Sequence, residues 1–362
     1  MRRIRVLTMA LMAVVAFSAH AAPRTWWQPV PGTTWQWQLS GTVNVGHDVD
    51  MYDIDLFDTP QETLDTLHLD GRIVICYFSA GSFENFRPDK DSFPAIVKGN
   101  RLDEWPGEKW LDIRNLAILG PIMEARMDLA VTKGCDGVEP DNIDGYTNDT
   151  GFPLTYSDQL TYNVWLAAEA HARGLSIGLK NDLDQIPDLV DDFDWMLNEQ
   201  CYQYEECDLL LPFISANKAV FGVEYMEEQG DPRQYCRAAE SAGYSWLVKT
   251  YDLGDTAVNP CSDYLPVDVT HPADGGTAAT LPTIIWAEHP AGTSYRVLLT
   301  RLSNGVVRDS GWLAAASLCS ASVCQYAPGK LKAGLYRLKV KTRWTGAFRK
   351  PVSPKILFTV VV

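Results

Sequence analysis

The sequence predicts an α/β chain: a (β/α)8 TIM-type barrel followed by a small all-β sandwich. Three observations carry this expectation. Eight strand-like segments, mostly separated by helical patterns, run from Trp35 to Thr250. Polar residues, many of them carboxylates, gather at the C-terminal ends of those segments. Beyond residue 281 helical periodicity disappears and short alternating strands take over. A doubly wound open sheet is the competing architecture, and it calls for a Gly-rich phosphate turn after the first strand, which the sequence lacks.

The first residues read as a processing signal. Arg2, Arg3 and Arg5 precede a short apolar run, Val6 to Phe17, and Ser18-Ala-His-Ala21 ends in a small-x-small pattern. A signal peptide over 1–22 is therefore expected, with export to the periplasm or medium. No other apolar run has the length of a membrane span. The eight cysteines suit disulfides in an oxidising compartment. Proximity pairs Cys201 with Cys207, Cys236 with Cys261 and Cys319 with Cys324, which leaves Cys76 for Cys135. The absence of any C-x-x-C or H-x-x-x-H pattern argues against a metal centre. No metal and no cofactor is expected.

Charge is uneven. The formal net charge is −15. Residues 23–270 hold 16 basic and 43 acidic residues, a balance of −27, whereas residues from 271 onward hold 12 basic and 3 acidic, a balance of +9. The acidic part repels nucleic acid and steers cations toward it. A solubilising acidic surface explains the same numbers.

The elements follow in order. Trp35-Gln-Trp-Gln-Leu39 alternates as a strand, and Asp48 to Asp58 contains a second, ending near Asp53. Arg72 to Gly81 is a nearly continuous apolar run, suited to a parallel strand buried on both faces, and closes in Ser79-Ala-Gly-Ser82. Trp105 to Arg114 reads as an excursion from a strand end. Leu119 to Lys133 has helical spacing. Gly134 to Tyr146 then packs Asp136, Glu139, Asp141 and Asp144 into thirteen residues, a strand whose end spills acids into a loop. Tyr156 to Arg173 is a helix and Leu175 to Asp182 a strand. Gln185 to Phe193 is a short helix, and Asp194 to Gln200 a strand ending in Asn198 and Glu199. Ala219 to Tyr225 is a strand, Pro232 to Ala242 a helix and Ser245 to Thr250 the eighth strand. The barrel is assigned to 23–262, a Gly/Pro-containing linker to 263–281 and the sandwich to 282–362. That sandwich resembles fibronectin type III or immunoglobulin-like modules at the level of fold.

Asp53, Ser79, Asp141, Lys180, Asn181, Asp182, Glu199, Glu224 and Tyr225 all fall at expected C-terminal strand ends, which a barrel brings to one mouth. The six histidines lie elsewhere, against a Ser-His-Asp triad or a His-ligated metal. Carboxylates and aromatics favour glycoside hydrolysis, which needs one protonated and one ionised carboxyl group across the bond.

The strings Cys76-Tyr-Phe-Ser-Ala-Gly-Ser82 with Arg87-Pro-Asp89, Trp110 to Arg114, Gly134 to Asp144, Gly178-Leu-Lys-Asn-Asp182, Asn198-Glu-Gln-Cys201 and Glu224-Tyr225 resemble the endo-α-1,4-polygalactosaminidase family of glycoside hydrolases, family 114. The resemblance spans residues 33 to 252. It implies cleavage of partly deacetylated α-1,4-linked galactosamine polymers, with Asp141 and Glu199 at the positions of the catalytic pair. On this reading Asp141 is the ionised nucleophile or stabiliser and Glu199 the general acid/base, set beside Trp195 or Tyr202. Asp53, Tyr77, Glu139, Lys180, Asp182, Tyr202 and Tyr225 are expected substrate-binding residues, Lys180 also keeping Asp141 ionised. The expected partner is a cationic polysaccharide, the expected state a monomer. Two other readings stand beside this one: a non-catalytic carbohydrate-binding or envelope protein, and a glycosidase of the same fold acting on another amino-sugar polymer.

Overall fold

The structure is a computed structural model that describes residues 26–103, 105–228, 231–255, 259–261, 267–289, 292–343, 353 and 355–361. The expected signal peptide lies outside the described residues.

Eight parallel strands form the first body: β1 (Trp35–Gln38), β2 (Met51–Asp55), β3 (Ile73–Ser79), β4 (Gly137–Asp141), β5 (Ser176–Lys180), β6 (Trp195–Glu199), β7 (Val220–Tyr225) and β8 (Ser245–Lys249). Each pairs in parallel with the next in that order. The circle is nearly closed between β8 and β1. There Trp35 Nε1 donates to Ser245 O at 2.8 Å, and Leu39 N donates to Leu253 O at 3.0 Å. All eight strands expected from sequence are present. The helices α1 (Gln61–Leu69), α2 (Leu116–Lys133), α3 (Tyr156–Ala172), α4 (Ile186–Leu189), α5 (Cys201–Tyr204), α6 (Leu211–Ser215) and α7 (Cys236–Ala242) lie between them.

Strand periodicity divides the residues between two cores. Trp35, Trp37, Met51, Ile75, Trp195, Leu197, Phe221, Val223 and Leu247 pack together inside the barrel. A Cβ on Gly178 would sit 2.3 Å from the Trp195 ring, so glycine at this position is what lets the indole lie across the interior. The other strand faces, with α1, α2, α3 and α7, form the larger outer core, including Tyr52, Cys76, Phe78, Val138, Leu179, Met196 and Val248. That double burial explains the near-continuous apolar runs of the middle strands. Helix α3 begins on a capping box, in which Thr155 and Asp158 exchange side-chain-to-backbone hydrogen bonds.

Four disulfides join Cys76 to Cys135, Cys201 to Cys207, Cys236 to Cys261 and Cys319 to Cys324, the pairing expected from sequence proximity. Among the described residues no helix is long and apolar enough to cross a membrane.

Beyond the barrel two antiparallel-rich sheets enclose a second core of Trp286, Tyr295, Val297, Leu299, Tyr336, Leu338, Val340 and Phe358. The stretch read as linker differs from expectation. Val269–His271 pairs with Ile284–Ala287, and Thr277–Ala278 with Ile356–Val360. These edges are two or three residues long, too short to show the alternation by which strands are read from sequence.

Candidate active site

Three consecutive strands of the barrel end in the same way. Asp141, Lys180 and Glu199 are the last residues of β4, β5 and β6. Each is followed by a residue in the left-handed region: Asn142 at φ 60, Asn181 at φ 49 and Gln200 at φ 67. Asn tolerates that region better than most residues because its short polar side chain bonds locally. The sharp turn directs each loop outward and leaves the final inward-facing side chain at the mouth.

Lys180 is the hub. It is only 2% exposed, and its Nζ lies 2.7 Å from Glu139 Oε1, 3.1 Å from Asp141 Oδ1 and 3.4 Å from Glu199 Oε2. The indole of Trp37 lies beneath it at 4.8 Å and donates its Nε1–H to Glu139 Oε2 at 3.1 Å. The neighbouring carboxylates outweigh burial and hold the lysine well above its ordinary pKa, so it remains an ammonium. Deeper still, Asp53 is fully buried. Burial, then the charge of Glu139, pushes its carboxyl well above the usual range. Burial likewise lifts Glu139 to about 7, opposed by Lys180.

Asp141 and Glu199 are the members of this cluster that reach solvent, with side chains 21% and 24% exposed. Tyr77 Oη donates to Asp141 Oδ2 at 3.0 Å. Tyr225 Oη donates to Glu199 Oε1. The backbone N–H of Glu199 donates to Asn181 Oδ1 at 3.0 Å, fixing the end of β6 to the end of β5. On the other side, the turn after β3 lies directly on Asn142. A Cβ on Gly81 would fall 1.6 Å from Asn142 O, so this position accepts nothing larger than glycine. Asn142 Nδ2 in turn donates to Ser79 Oγ at 2.9 Å.

A cleft of about 340 Å³ opens beside Glu199, lined among others by Asp144, Tyr146, Asp182, Asp184, Tyr204 and Glu206. Burial and the charge of Asp144 push Asp182 up to about 8. Asn163 of α3 holds this wall by donating to Asp182 Oδ2 at 2.8 Å and to Ile143 O at 3.0 Å.

The expected site residues thus divide. Tyr77, Asp141, Lys180, Glu199 and Tyr225 form one hydrogen-bonded cluster, and Asp182 lines the cleft. Asp53 and Glu139 were expected to contact substrate, but neither has exposed surface. Both sit one layer below the mouth, where Glu139 contacts Lys180. Tyr202 lies elsewhere, packed on Tyr235 at 5.6 Å and Trp246 at 5.5 Å on the outer side of the wall. Glu224 also faces outward, accepting from Tyr202 N at 2.9 Å at the start of α5. Trp195, proposed as a neighbour of Glu199, shares its strand face but lies four residues lower, inside the barrel. Sequence reading missed Trp37 and Tyr251, the latter stacked on Tyr225 at 4.5 Å. The inward alternation of Trp35-Gln-Trp37 was the available signal for the first, whereas Tyr251 lies beyond the last strand in a loop with no periodicity.

The model of glycoside hydrolase family GH114 matches residues 17–265. The chain belongs to that family. As a GH114 member it is a glycoside hydrolase, and the strand-end cluster lies within the matched residues. The chain is similar to Ega3 of Aspergillus fumigatus, solved in complex with galactosamine: 45% identity, TM-score 0.62, covering 67% of this chain and 100% of that one. The glycoside hydrolase domain of PelA from Pseudomonas aeruginosa shares the fold at 14% identity and TM-score 0.51, over 62% of this chain and 98% of that one. No curated protein matches.

Proposed function

We propose that this GH114 member is an exported endo-glycosidase that hydrolyses α-1,4-linked, galactosamine-containing polysaccharide, with Asp141 as nucleophile and Glu199 as general acid/base. The observation that carries the reading is the shared contact of Asp141 and Glu199 with the Lys180 ammonium, at 3.1 and 3.4 Å. Two carboxylates held on one buried cation, open to solvent at a barrel mouth, are the equipment of a two-carboxylate glycosidase. The similarity to Ega3, a protein solved with galactosamine, supports the choice of sugar.

Contact with one nitrogen limits how far apart those two oxygens are: no more than about 6.5 Å, below most of the range of inverting enzymes and compatible with a retaining one. Retention follows as the proposed course. Glu199 gives its proton to the glycosidic oxygen as Asp141 Oδ attacks the anomeric carbon. The C–O bond to the leaving chain breaks and a glycosyl ester on Asp141 forms. Glu199 then takes a proton from water, whose oxygen attacks the same carbon and releases Asp141. Lys180 keeps the nucleophile's charge in place, and Tyr225 orients Glu199. The acidic cleft beyond Glu199 offers Asp144, Asp184 and Glu206 to a sugar ammonium group. The signal peptide, the disulfides and the acidic barrel fit an exported protein that takes a cationic polymer.

Product analysis by mass spectrometry tests the proposal, using the mature protein and Glu199→Gln on partly deacetylated α-1,4-galactosaminogalactan. Short galactosamine oligomers from the wild type alone are expected. An inert wild type of confirmed fold would redirect the assignment to another amino-sugar polymer or to binding without turnover.

A further inference from the structure

The sandwich presents a feature that hydrolysis does not use. Strand Gly334–Arg343 is buried on one face through Tyr336, Leu338, Val340 and Thr342. Its other face carries Arg337, Lys339, Lys341 and Arg343, a cation at every second residue. In a strand these side chains are about 6.7 Å apart, so the row extends for about 20 Å. The adjoining strand Ser294–Arg301 sets Thr300, Leu298, Arg296 and Ser294 opposite them, none of them acidic. Two acids lie nearby: Asp309, which accepts from Arg296 Nε at 2.9 Å and also feels the charge of Lys341, and Asp274, which accepts from Leu357 N at 2.7 Å. Among the described residues Arg337, Lys339 and Lys341 make no close ion pair, and Arg343 lies over the Trp312 ring at 4.4 Å.

We infer that this face is a docking surface for a linear polyanionic polysaccharide bearing carboxylates along its length. Charge complementarity and shape carry the assignment. A single small anion satisfies one cation and leaves the others repelling each other. A chain with regularly repeated negative charge, laid along the strand, meets all of them, and the gain comes from released counterions. The sequence places this balance of +9 beside a −27 remainder, so the positive charge is concentrated in the module rather than spread over the chain. Single-stranded nucleic acid is less well served, because its bases need aromatic platforms. The large apolar side chains exposed on this face, Leu335, Leu357 and Val307, are aliphatic, and the Trp312 ring is already covered by Arg343. A bilayer would bring a broad negative surface toward the strongly acidic remainder of the chain, whereas a thin polymer strand contacts the row alone.

The test is affinity electrophoresis of the full mature protein through gels containing polygalacturonate, beside the triple variant Arg337→Gln/Lys339→Gln/Lys341→Gln. These side chains are partly exposed and lie on the strand face opposite the core, so the fold is expected to persist; near-ultraviolet circular dichroism checks it. Wild-type retardation that falls at least tenfold in the variant, with a salt slope reduced by about two, supports the surface. Hydrolysis by the barrel is read separately and is expected to be unchanged. Equal retardation of both proteins overturns the inference. So does wild-type binding to phosphatidylglycerol vesicles or single-stranded DNA with none to polygalacturonate, and so does self-association in ultracentrifugation that the triple variant abolishes.

Discussion

Lys180 Nζ lies 3.1 Å from Asp141 Oδ1 in a position almost closed to solvent. The same nitrogen holds Glu139 and Glu199, so one cation balances three acids. Replacing it with methionine leaves those acids facing one another across an apolar stem. The cluster then loses the positive charge that offsets its acids. Lys180→Met is expected to lower kcat by about 10²-fold or more, since preorganised charge at the reacting centre contributes on that scale. The acid limb of the pH–rate profile should move to higher pH. An unshifted limb in a folded variant would show that Lys180 does not set the charge of the cluster.

The short span of the proposed carboxylate pair predicts retention at the anomeric carbon. Proton NMR of the first minutes of hydrolysis should show the α-anomer ahead of mutarotation. The β-anomer as first product would require a water between the two carboxyl groups and would remove Asp141 from the role of nucleophile.

Tyr225 donates to Glu199 and stacks on Tyr251. Tyr225→Phe keeps the stack and removes the donor. A positioning role predicts a kcat reduction of about 10- to 100-fold, as expected for misdirected acid–base catalysis, with KM nearly unchanged. A rise in KM alone would instead mark Tyr225 as a simple contact for the sugar.

The barrel was legible because its strands are buried on both faces and leave long apolar runs, as at Ile73–Ser79. The proposed pair, Asp141 and Glu199, was reached through family motifs rather than through alternation. Glu139 and Asp141 show the limit of reading by alternation. Their two-residue spacing places both on the inward face, but only depth along the barrel separates a fully buried acid from one at the mouth. Glu224 shows another limit: it neighbours Tyr225 at the strand end and points the opposite way, so position at a strand end does not give access to the cleft. Tyr251 and the cleft acids Asp184 and Glu206 lie on loops, whose approach to Glu199 depends on turns at Asn181 and Gln200 that no periodicity announces.

The acidic cleft and the −27 balance of residues 23–270 predict salt-sensitive turnover on a cationic polymer. Added salt screens steering within about 10 Å at 0.1 M. kcat/KM should fall on the order of tenfold between low salt and 0.3 M, a change typical of electrostatically steered encounter. Fully acetylated, uncharged substrate serves as the comparison, and its turnover should respond little. Equal salt responses would leave the acidic charge as a solubility feature.

Asp182 links the cleft to stability. Its folded pKa of about 8 stands above the ordinary aspartate value near 3.9, because burial and the charge of Asp144 disfavour ionisation. The folded state therefore binds this proton more tightly than the unfolded chain. The resulting stabilisation is fully present below about pH 4 and is lost as pH rises toward 8. Glu139 and Glu224, each raised to about 7 mainly by burial, act in the same direction. Asp182→Asn cannot ionise and can still accept the hydrogen bond from Asn163. Its Tm relative to wild type should therefore climb between pH 5 and pH 8 by several degrees, at about 2–4 °C per kcal/mol for a protein of this size. Scanning calorimetry at both pH values decides the matter: a constant difference would mean that Asp182 is already ionised in the folded protein, and the wall of the cleft would then carry its full negative charge at neutral pH.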